Sequence, residues 1–358
     1  MDLTPPNIDL ISLETPPAVA GVRRIADGFK AFQVLRAGLA SGLFDWLEQN
    51  GPAKRPAIAT ALKLRGAHLA GFMQALEDLG LIVRQGALYG LAPGMREAIL
   101  ADSPWYQRPV VESLTRPGNG WADFSCFMAE DRAAAPTDLA MPPWQHVFLD
   151  EARGLALRLA ARDEAGQGGA GPRRLLCFDG GGGAAAAALC LARPRWSTTA
   201  VVPAAAVLGA RTLIASLGLD GRCRVEAGTP LDFPADGAFD RVVLFHVLYA
   251  VRKDMAQALG AIAGRLAPGG ELCSAHWFCL EACETAPGGL RDLDRAVLLD
   301  HHPLCHVESF GERFVAAGLD DAGREEIDGP YGHLKLHFAG RAQARQTTAS
   351  SCARHGCC

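Results

Sequence analysis

The run Leu175-Leu176-Cys177-Phe178-Asp179-Gly180-Gly181-Gly182-Gly183-Ala184 constrains the fold of this chain more than any other stretch. Four apolar residues suited to a buried strand lead through an aspartate into four glycines. An alanine-rich, helix-forming segment, Ala184 to Leu191, follows without a break. Glycine lacks a Cβ, so a turn of this composition lets backbone N–H groups approach a ligand closely at the positive end of a helix. Doubly wound α/β domains hold nucleotide-bearing cofactors in this way.

Beyond the turn the strand–helix theme repeats. Strands are predicted at Leu175–Phe178, Thr198–Val202, Cys223–Glu226, Val242–Phe245 and Glu271–Ala275, with an antiparallel end at Gly332–Ala339. Such alternation implies a sheet covered by helices on both faces. We therefore expect an α/β Rossmann-like domain over residues 166–340, introduced by the loop Gly166–Pro172. Residues 341–358 are polar and lack apolar periodicity, and read as a disordered, cysteine-containing tail.

The first half has a different texture. Residues 1–16 read as a flexible lead-in, and residues 17–100 as a mainly helical domain. Phe32, Leu35, Leu39, Leu43 and Leu47 recur at helical spacing, a stripe for a core or a subunit contact. Helices near Ala57–Leu62 and His68–Leu79 precede a hairpin over Leu81–Leu91, which together make a winged-helix-like unit. In a DNA-binding version the second helix would enter the major groove. Gly66–Gly80 has no Lys or Arg and carries Glu77 and Asp78, which is the wrong charge for a phosphate-facing surface. Residues 101–165 are read as connecting helices, with Trp105, Trp121, Phe124, Phe127, Met128, Trp144 and Phe148 serving as pocket walls or as plain core.

A net charge of −4 across 358 residues gives no electrostatic reason to expect nucleic acid. The N-terminal MDLTPPNIDL has acids and prolines where a secretory signal needs a basic start and an apolar core, and no uncharged run reaches transmembrane length. The cytoplasm is the expected compartment, with no membrane partner. Eleven cysteines then read mostly as free thiols.

The order of elements resembles the class I S-adenosylmethionine-dependent methyltransferases. It is closest to the O-methyltransferase group with an N-terminal winged-helix-like dimerisation domain. The resemblance runs from about Pro17 to Gly340. It is carried by Gly180–Gly182, by Phe239-Asp240-Arg241-Val242-Val243-Leu244-Phe245-His246-Val247-Leu248, and by Leu266-Ala267-Pro268-Gly269-Gly270-Glu271-Leu272. It implies a homodimer that moves a methyl group from S-adenosylmethionine to a small molecule, at a hydroxyl oxygen. The implied cofactor residues are Asp179, Gly180, Gly181, Gly182, Asp232 and Phe245. Several family positions are altered here. Phe178 stands two before the first glycine, where an acid is usual, and Ala184 replaces a third glycine. The second strand ends Val201-Val202-Pro203, without the acid that takes both ribose hydroxyls, and Thr229 follows Gly228 in place of a third acid. Tyr249 stands where many relatives place a histidine base. His246 and His276 are then the candidate bases, with Tyr249 orienting the acceptor, since histidine titrates near 6.5 and tyrosine near 10. These departures keep a second reading open: a methyltransferase fold that binds a small ligand or metal, or partners an active homologue, without methylating.

The segment Cys273-x-x-His276-x-x-Cys279-x-x-x-Cys283, followed by His301, His302, Cys305 and His306, collects soft and borderline ligands. Its spacing matches no standard zinc pattern, and free cysteines also serve as small core residues. A pocket lined by His276, His301, His302 and Cys305 without a metal is the third option. Cys352, Cys357 and Cys358 in the tail could take up metal adventitiously or oxidise.

Overall fold

The computed structural model describes residues 11, 14–103, 105–129, 148–165, 171–279, 289–299 and 301–342. The chain divides into two compact units, Met1–Ser113 and Leu114–Cys358.

The first unit opens with α1 (Pro17–Ala40), whose Pro17 sits at the first helical position, where a missing N–H costs nothing. It continues with α2 (Leu43–Asn50), β1 (Ala53–Lys54), α3 (Arg55–Leu62), α4 (Gly66–Asp78), β2 (Ile82–Gln85), β3 (Leu88–Leu91), α5 (Arg96–Ile99) and α6 (Arg108–Ser113). The strands form an antiparallel sheet in the order β1-β3-β2, with the β2–β3 hairpin as the wing beside α3 and α4. Leu39, Leu43 and Leu47 of the helical stripe are buried with Phe44, Met73 and Leu76, and Phe32 and Leu35 pack against them. The stripe is thus this unit's own core. What α1 leaves exposed is a different row, Val22, Ile25 and Phe29, at 68%, 79% and 65% exposure.

The second unit contains α7 (Phe124–Phe127), α8 (Leu149–Ala165), β4 (Arg173–Asp179), α9 (Ala184–Ala192), β5 (Trp196–Val202), α10 (Val207–Ser216), β6 (Cys223–Ala227), β7 (Phe239–Phe245), α11 (Met255–Ala263) and β8 (Leu266–His276). It closes with α12 (Gly289–Leu299), α13 (Glu312–Ala316), β9 (Asp320–Gly329) and β10 (Gly332–Gly340). Its seven-stranded sheet has the order β6-β5-β4-β7-β8-β10-β9. Strands β4 to β8 pair in parallel, and β10 runs antiparallel to both β8 and β9. This is the α/β Rossmann-like architecture expected from the alternating pattern.

Parallel strands covered on both faces need continuous apolar runs, and Leu175–Phe178 and Val242–Phe245 are all essentially inaccessible to solvent. One core layer joins Leu155, Leu159, Leu189 and Ile214 of α8, α9 and α10 to the sheet. The other joins Leu259, Ile262 and Phe314 of α11 and α13. The chain order places β5 and β6 on one side of β4 and β7 and β8 on the other. The switch point therefore lies between β4 and β7, where open α/β sheets bind ligands beyond the strand ends. Among the described residues, no helix is long and apolar enough to cross a membrane.

Candidate active site

A cavity of about 270 Å³ opens at that switch point. Its walls come from the ends of successive strands: Phe178 and Gly180 after β4, Val201 and Pro203 at β5, Gly228 and Thr229 after β6, and His246 after β7. Tyr249, Phe148 and, beyond α12, His301 complete the polar and aromatic lining.

The glycine turn is held from beneath. Asp179 is fully buried, and its carboxylate accepts the N–H groups of Gly181 at 2.8 Å and Ala186 at 2.9 Å. Burial pushes this carboxyl up from its ordinary value, against the opposing pull of those N–H donors. Asp179 therefore caps the start of α9 and does not line the cavity. The Gly180 N–H donates to the Phe245 carbonyl at 2.8 Å, and a Cβ on Gly180 would sit 2.5 Å from the carbonyl oxygen of His246. A Cβ on Gly181 would meet the Phe245 ring at 2.9 Å. Gly182 and Gly183 have φ of +64° and +95°, in the region that favours glycine. Sterics across the β4–β7 pair thus require the first two glycines, and backbone conformation the second two.

His246 is a non-glycine residue with φ of +53°, directly after β7. Its backbone N–H donates to Ala275 of β8 at 3.1 Å, while its ring stacks on Phe148 with centroids 4.3 Å apart. Strain of this kind is held by surrounding contacts and gathers at functional positions. The ring nitrogens complete a buried chain whose protons can be assigned. The Trp277 backbone N–H donates to Tyr249 Oη at 2.7 Å, so the Tyr249 hydroxyl proton points along its 2.8 Å contact to His246 Nδ1. His246 Nε2–H then donates to Glu151 Oε2 at 2.7 Å, and the indole N–H of Trp277 donates to Glu151 Oε1 at 2.9 Å. Burial holds the Tyr249 phenol well above its ordinary value, so it stays protonated.

His276 is placed elsewhere. It is fully buried at the end of β8, and its Nε2 accepts the N–H groups of Val247 and Leu248, each at 3.1 Å. Its Nδ1–H donates to Ser274 Oγ at 2.9 Å. Both nitrogens are occupied, and burial holds the ring neutral, well below its ordinary value. This corrects the expectation of His276 as a base: it fastens the loop that carries Tyr249. Phe245 is fully buried behind the turn, and exposed Asp232 offers its backbone carbonyl to Thr229 N–H at 2.8 Å. Of the residues expected from the sequence, Gly180, His246 and Tyr249 line the cavity. Asp179, Gly181, Gly182, Asp232, Phe245 and His276 do not.

The grouping of cysteines and histidines also divides. His301 faces the cavity, Cys273 is a buried strand residue, and Cys279, His302 and Cys305 come together away from His276. Cys283, Cys352, Cys357 and Cys358 lie outside the described residues.

Glu151 and Trp277 are functional candidates that sequence reasoning missed. Glu151, Leu155, Leu159 and Asp163 lie four residues apart on the buried face of α8. An acid at each end of an apolar stripe is costly unless paired, and that was the available signal. Asp163 is paired with Arg241 at 2.7 Å, and Glu151 with His246.

A family model described as a methyltransferase domain matches residues 178–274. No curated protein sequence matches the chain. Among solved structures, an O-methyltransferase family protein from Burkholderia thailandensis superposes with a TM-score of 0.73 at 20% identity, covering 93% of this chain and 100% of that one. Human N-acetylserotonin methyltransferase, in complex with S-adenosylmethionine, gives 0.66 at 18% identity over 92% and 99%. The mitomycin 7-O-methyltransferase MmcR gives 0.66 at 19% identity over 91% and 98%. The chain is thus similar to methyltransferase domains over residues 178–274 and has the fold of these O-methyltransferase structures.

Proposed function

We propose that this chain is an S-adenosylmethionine-dependent methyltransferase that acts on a hydroxyl oxygen of a small molecule, with Tyr249, His246 and Glu151 as its proton path. The observation that carries this reading is the buried Tyr249–His246–Glu151 chain at the rim of a cavity built on the switch point. Solved relatives of the same fold include complexes with S-adenosylmethionine and with its demethylated product, S-adenosylhomocysteine.

Part of the cavity lining suits the flat adenine of the cofactor. Gly180 and Gly228 line the cavity, and packing requires glycine at both, since a Cβ would collide with the chain's own backbone at 2.5 Å and 2.9 Å. Val201, Pro203 and Pro230 give apolar faces for a flat base, and Thr229 a hydroxyl at its edge. Among the described residues that line it, none offers a carboxylate for the ribose hydroxyls. Losing one charge-assisted pair costs about 1.5–3 kcal/mol, roughly ten- to a hundredfold in affinity. Binding is thus expected to be weakened, with its geometry kept.

When bound, the cofactor supplies an electrophilic methyl group on a sulfonium. The protein holds the acceptor hydroxyl and accepts its proton. In this reading Tyr249 Oη, which takes the Trp277 N–H on one lone pair, accepts the acceptor hydroxyl on the other. As the acceptor O–H breaks, its proton passes to Tyr249 Oη and the tyrosine's own proton passes to His246 Nδ1. The resulting imidazolium lies against the Glu151 carboxylate, which stabilises it in a water-poor interior. The apolar remainder of the lining favours an acceptor with an aromatic or otherwise apolar body.

We further propose a homodimer through the first unit, with the exposed Val22, Ile25 and Phe29 of α1 as the apolar row that a second copy covers. Light scattering on the full chain tests this, and a monomer at micromolar concentration overturns it. Calorimetric titration with S-adenosylmethionine and S-adenosylhomocysteine tests the cofactor. The altered ribose position favours one alternative, a ligand-binding protein of this fold without transfer activity. Binding of some other small molecule, with no heat from either cofactor form, would support that reading instead.

A further inference from the structure

The chain leaving β8 and the chain following α12 are joined outside the site described above. Phe278 and Leu304 form a parallel bridge. Leu304 N–H donates to the Trp277 carbonyl at 3.0 Å, and Cys279 N–H donates to the Leu304 carbonyl at 2.8 Å. This short ladder brings the next residue of each segment together: Cys279 Sγ lies 3.5 Å from Cys305 Sγ, and no disulfide joins them. His302, one turn of chain earlier, places Nδ1 3.9 Å from Cys305 Sγ. One ligand atom from each of Cys279, His302 and Cys305 lies within 4.8 Å of the others.

We propose that Cys279, His302 and Cys305 form a binding site for one zinc ion, which clips these two segments together. Zinc binds thiolate at about 2.3 Å and imidazole at about 2.0–2.1 Å, so a tetrahedral ion sets S···S and S···N edges of roughly 3.8 and 3.5 Å. The Sγ···Sγ separation of 3.5 Å and the Cys305 Sγ···His302 Nδ1 separation of 3.9 Å are close to those edges. Two thiolates offset the charge of the ion, and sulfur with imidazole is a donor set that suits zinc over calcium or magnesium. Solvent takes the fourth position, since His302 is exposed and Cys305 half-buried.

The surroundings are those of a supported site. Arg252 Nη2 lies 3.9 Å from Cys305 Sγ and also donates to the carbonyls of His302, at 3.1 Å, and Pro303. An N–H donor on a ligating sulfur is a typical outer contact. Arg252 Nη2 is 3.4 Å from His302 Nδ1, and that nitrogen is 2.7 Å from the Pro303 carbonyl. Ligation through Nδ1 exchanges those contacts for the ion, while ligation through Nε2 keeps them. The clip bears on the cavity from both segments. Trp277, two residues before Cys279, holds Tyr249 and Glu151. His301, beside His302, lines the cavity wall.

The experiment is a titration of the reduced, metal-free full chain with Co²⁺ and then Zn²⁺, with thiolate-to-cobalt absorption, elemental analysis and thermal midpoint as readouts. One equivalent is expected, with a thiolate charge-transfer band that Zn²⁺ abolishes and a midpoint raised by the metal. The triple variant C352S/C357S/C358S should keep all three signals. Cys279→Ser and Cys305→Ser should each lose the band. His302→Ala, an exposed position that leaves the fold intact, should weaken binding by at least about tenfold. Absence of the band, its loss in the tail variant alone, or a thiol count showing a Cys279–Cys305 disulfide in place of metal would each overturn the proposal.

Discussion

Glu151 Oε2 lies 2.7 Å from His246 Nε2, with both side chains fully buried and 95 residues apart in sequence. An acid at the start of α8 and a histidine just past β7 thus share one proton in the interior. Trp277 fixes the arrangement by donating to the other carboxylate oxygen. Glu151→Gln keeps the shape and an oxygen for one donor but removes the charge that stabilises an imidazolium. Methyl-transfer turnover should fall by about a hundredfold or more, the usual scale for a lost acid–base partner. Single-turnover rates with the natural acceptor check this, and a wild-type rate would remove Glu151 from the proton path.

Tyr249→Phe and His276→Ala should separate chemistry from scaffolding. The first deletes one hydroxyl and leaves the Trp277 N–H and His246 Nδ1 without that partner, so some stability is lost too. Turnover of the folded variant should fall far more than that loss explains. The second strands the Val247 and Leu248 N–H groups and Ser274 Oγ in the interior, each costing about 1–3 kcal/mol. Its thermal midpoint should drop by several degrees. The reverse pattern, a stable His276→Ala with no turnover and a fully active Tyr249→Phe, would return the base to His276.

Val201→Asp tests the altered ribose position directly. Val201 lines the cavity at the end of β5, where a carboxylate could accept from two hydroxyls at once. Calorimetry should show S-adenosylmethionine bound ten- to a hundredfold more tightly, about 1.5–3 kcal/mol. Unchanged affinity in a folded variant would mean that no ribose lies there.

Stability should fall in mild acid for a reason visible in the core. Burial among Phe278 and Phe310 lowers the pKa of His337 from 6.5 to about 4, and burial also holds that of His276 well below its ordinary value. Between those limits the unfolded chain takes up a proton that the folded chain refuses. The contribution of the His337 ring is therefore complete above about pH 6.5 and is lost as pH falls towards 4. His337→Phe should shrink that loss by on the order of 3 kcal/mol, read as the difference between urea unfolding at pH 7 and pH 4. An identical pH dependence in variant and wild type would contradict it.

The sequence disclosed those elements whose cause is local. Leu175–Phe178 is an apolar run that only a doubly covered strand explains, and the glycines after it announce the turn. Strand β9 was invisible: Asp320–Gly329 has no apolar alternation, and it exists because β10 offers it a ladder at the sheet edge. The stripe of Phe32 to Leu47 was readable as apolar, but whether a helix face meets its own core or a second subunit is decided by tertiary packing. At the site, Gly180, His246 and Tyr249 lay in motifs of fixed spacing. Glu151 and Trp277 join them only through long-range pairing, and nothing local distinguishes His276, held by three hydrogen bonds, from a histidine free to accept a proton.

The most direct measurement is calorimetric titration of the full-length chain with S-adenosylhomocysteine. It needs no knowledge of the acceptor and reports on the cavity itself. The expected result is one saturable site per chain, tightened in Val201→Asp. No heat of binding in either protein, while both remain folded, would contradict the assignment of this cavity to the cofactor.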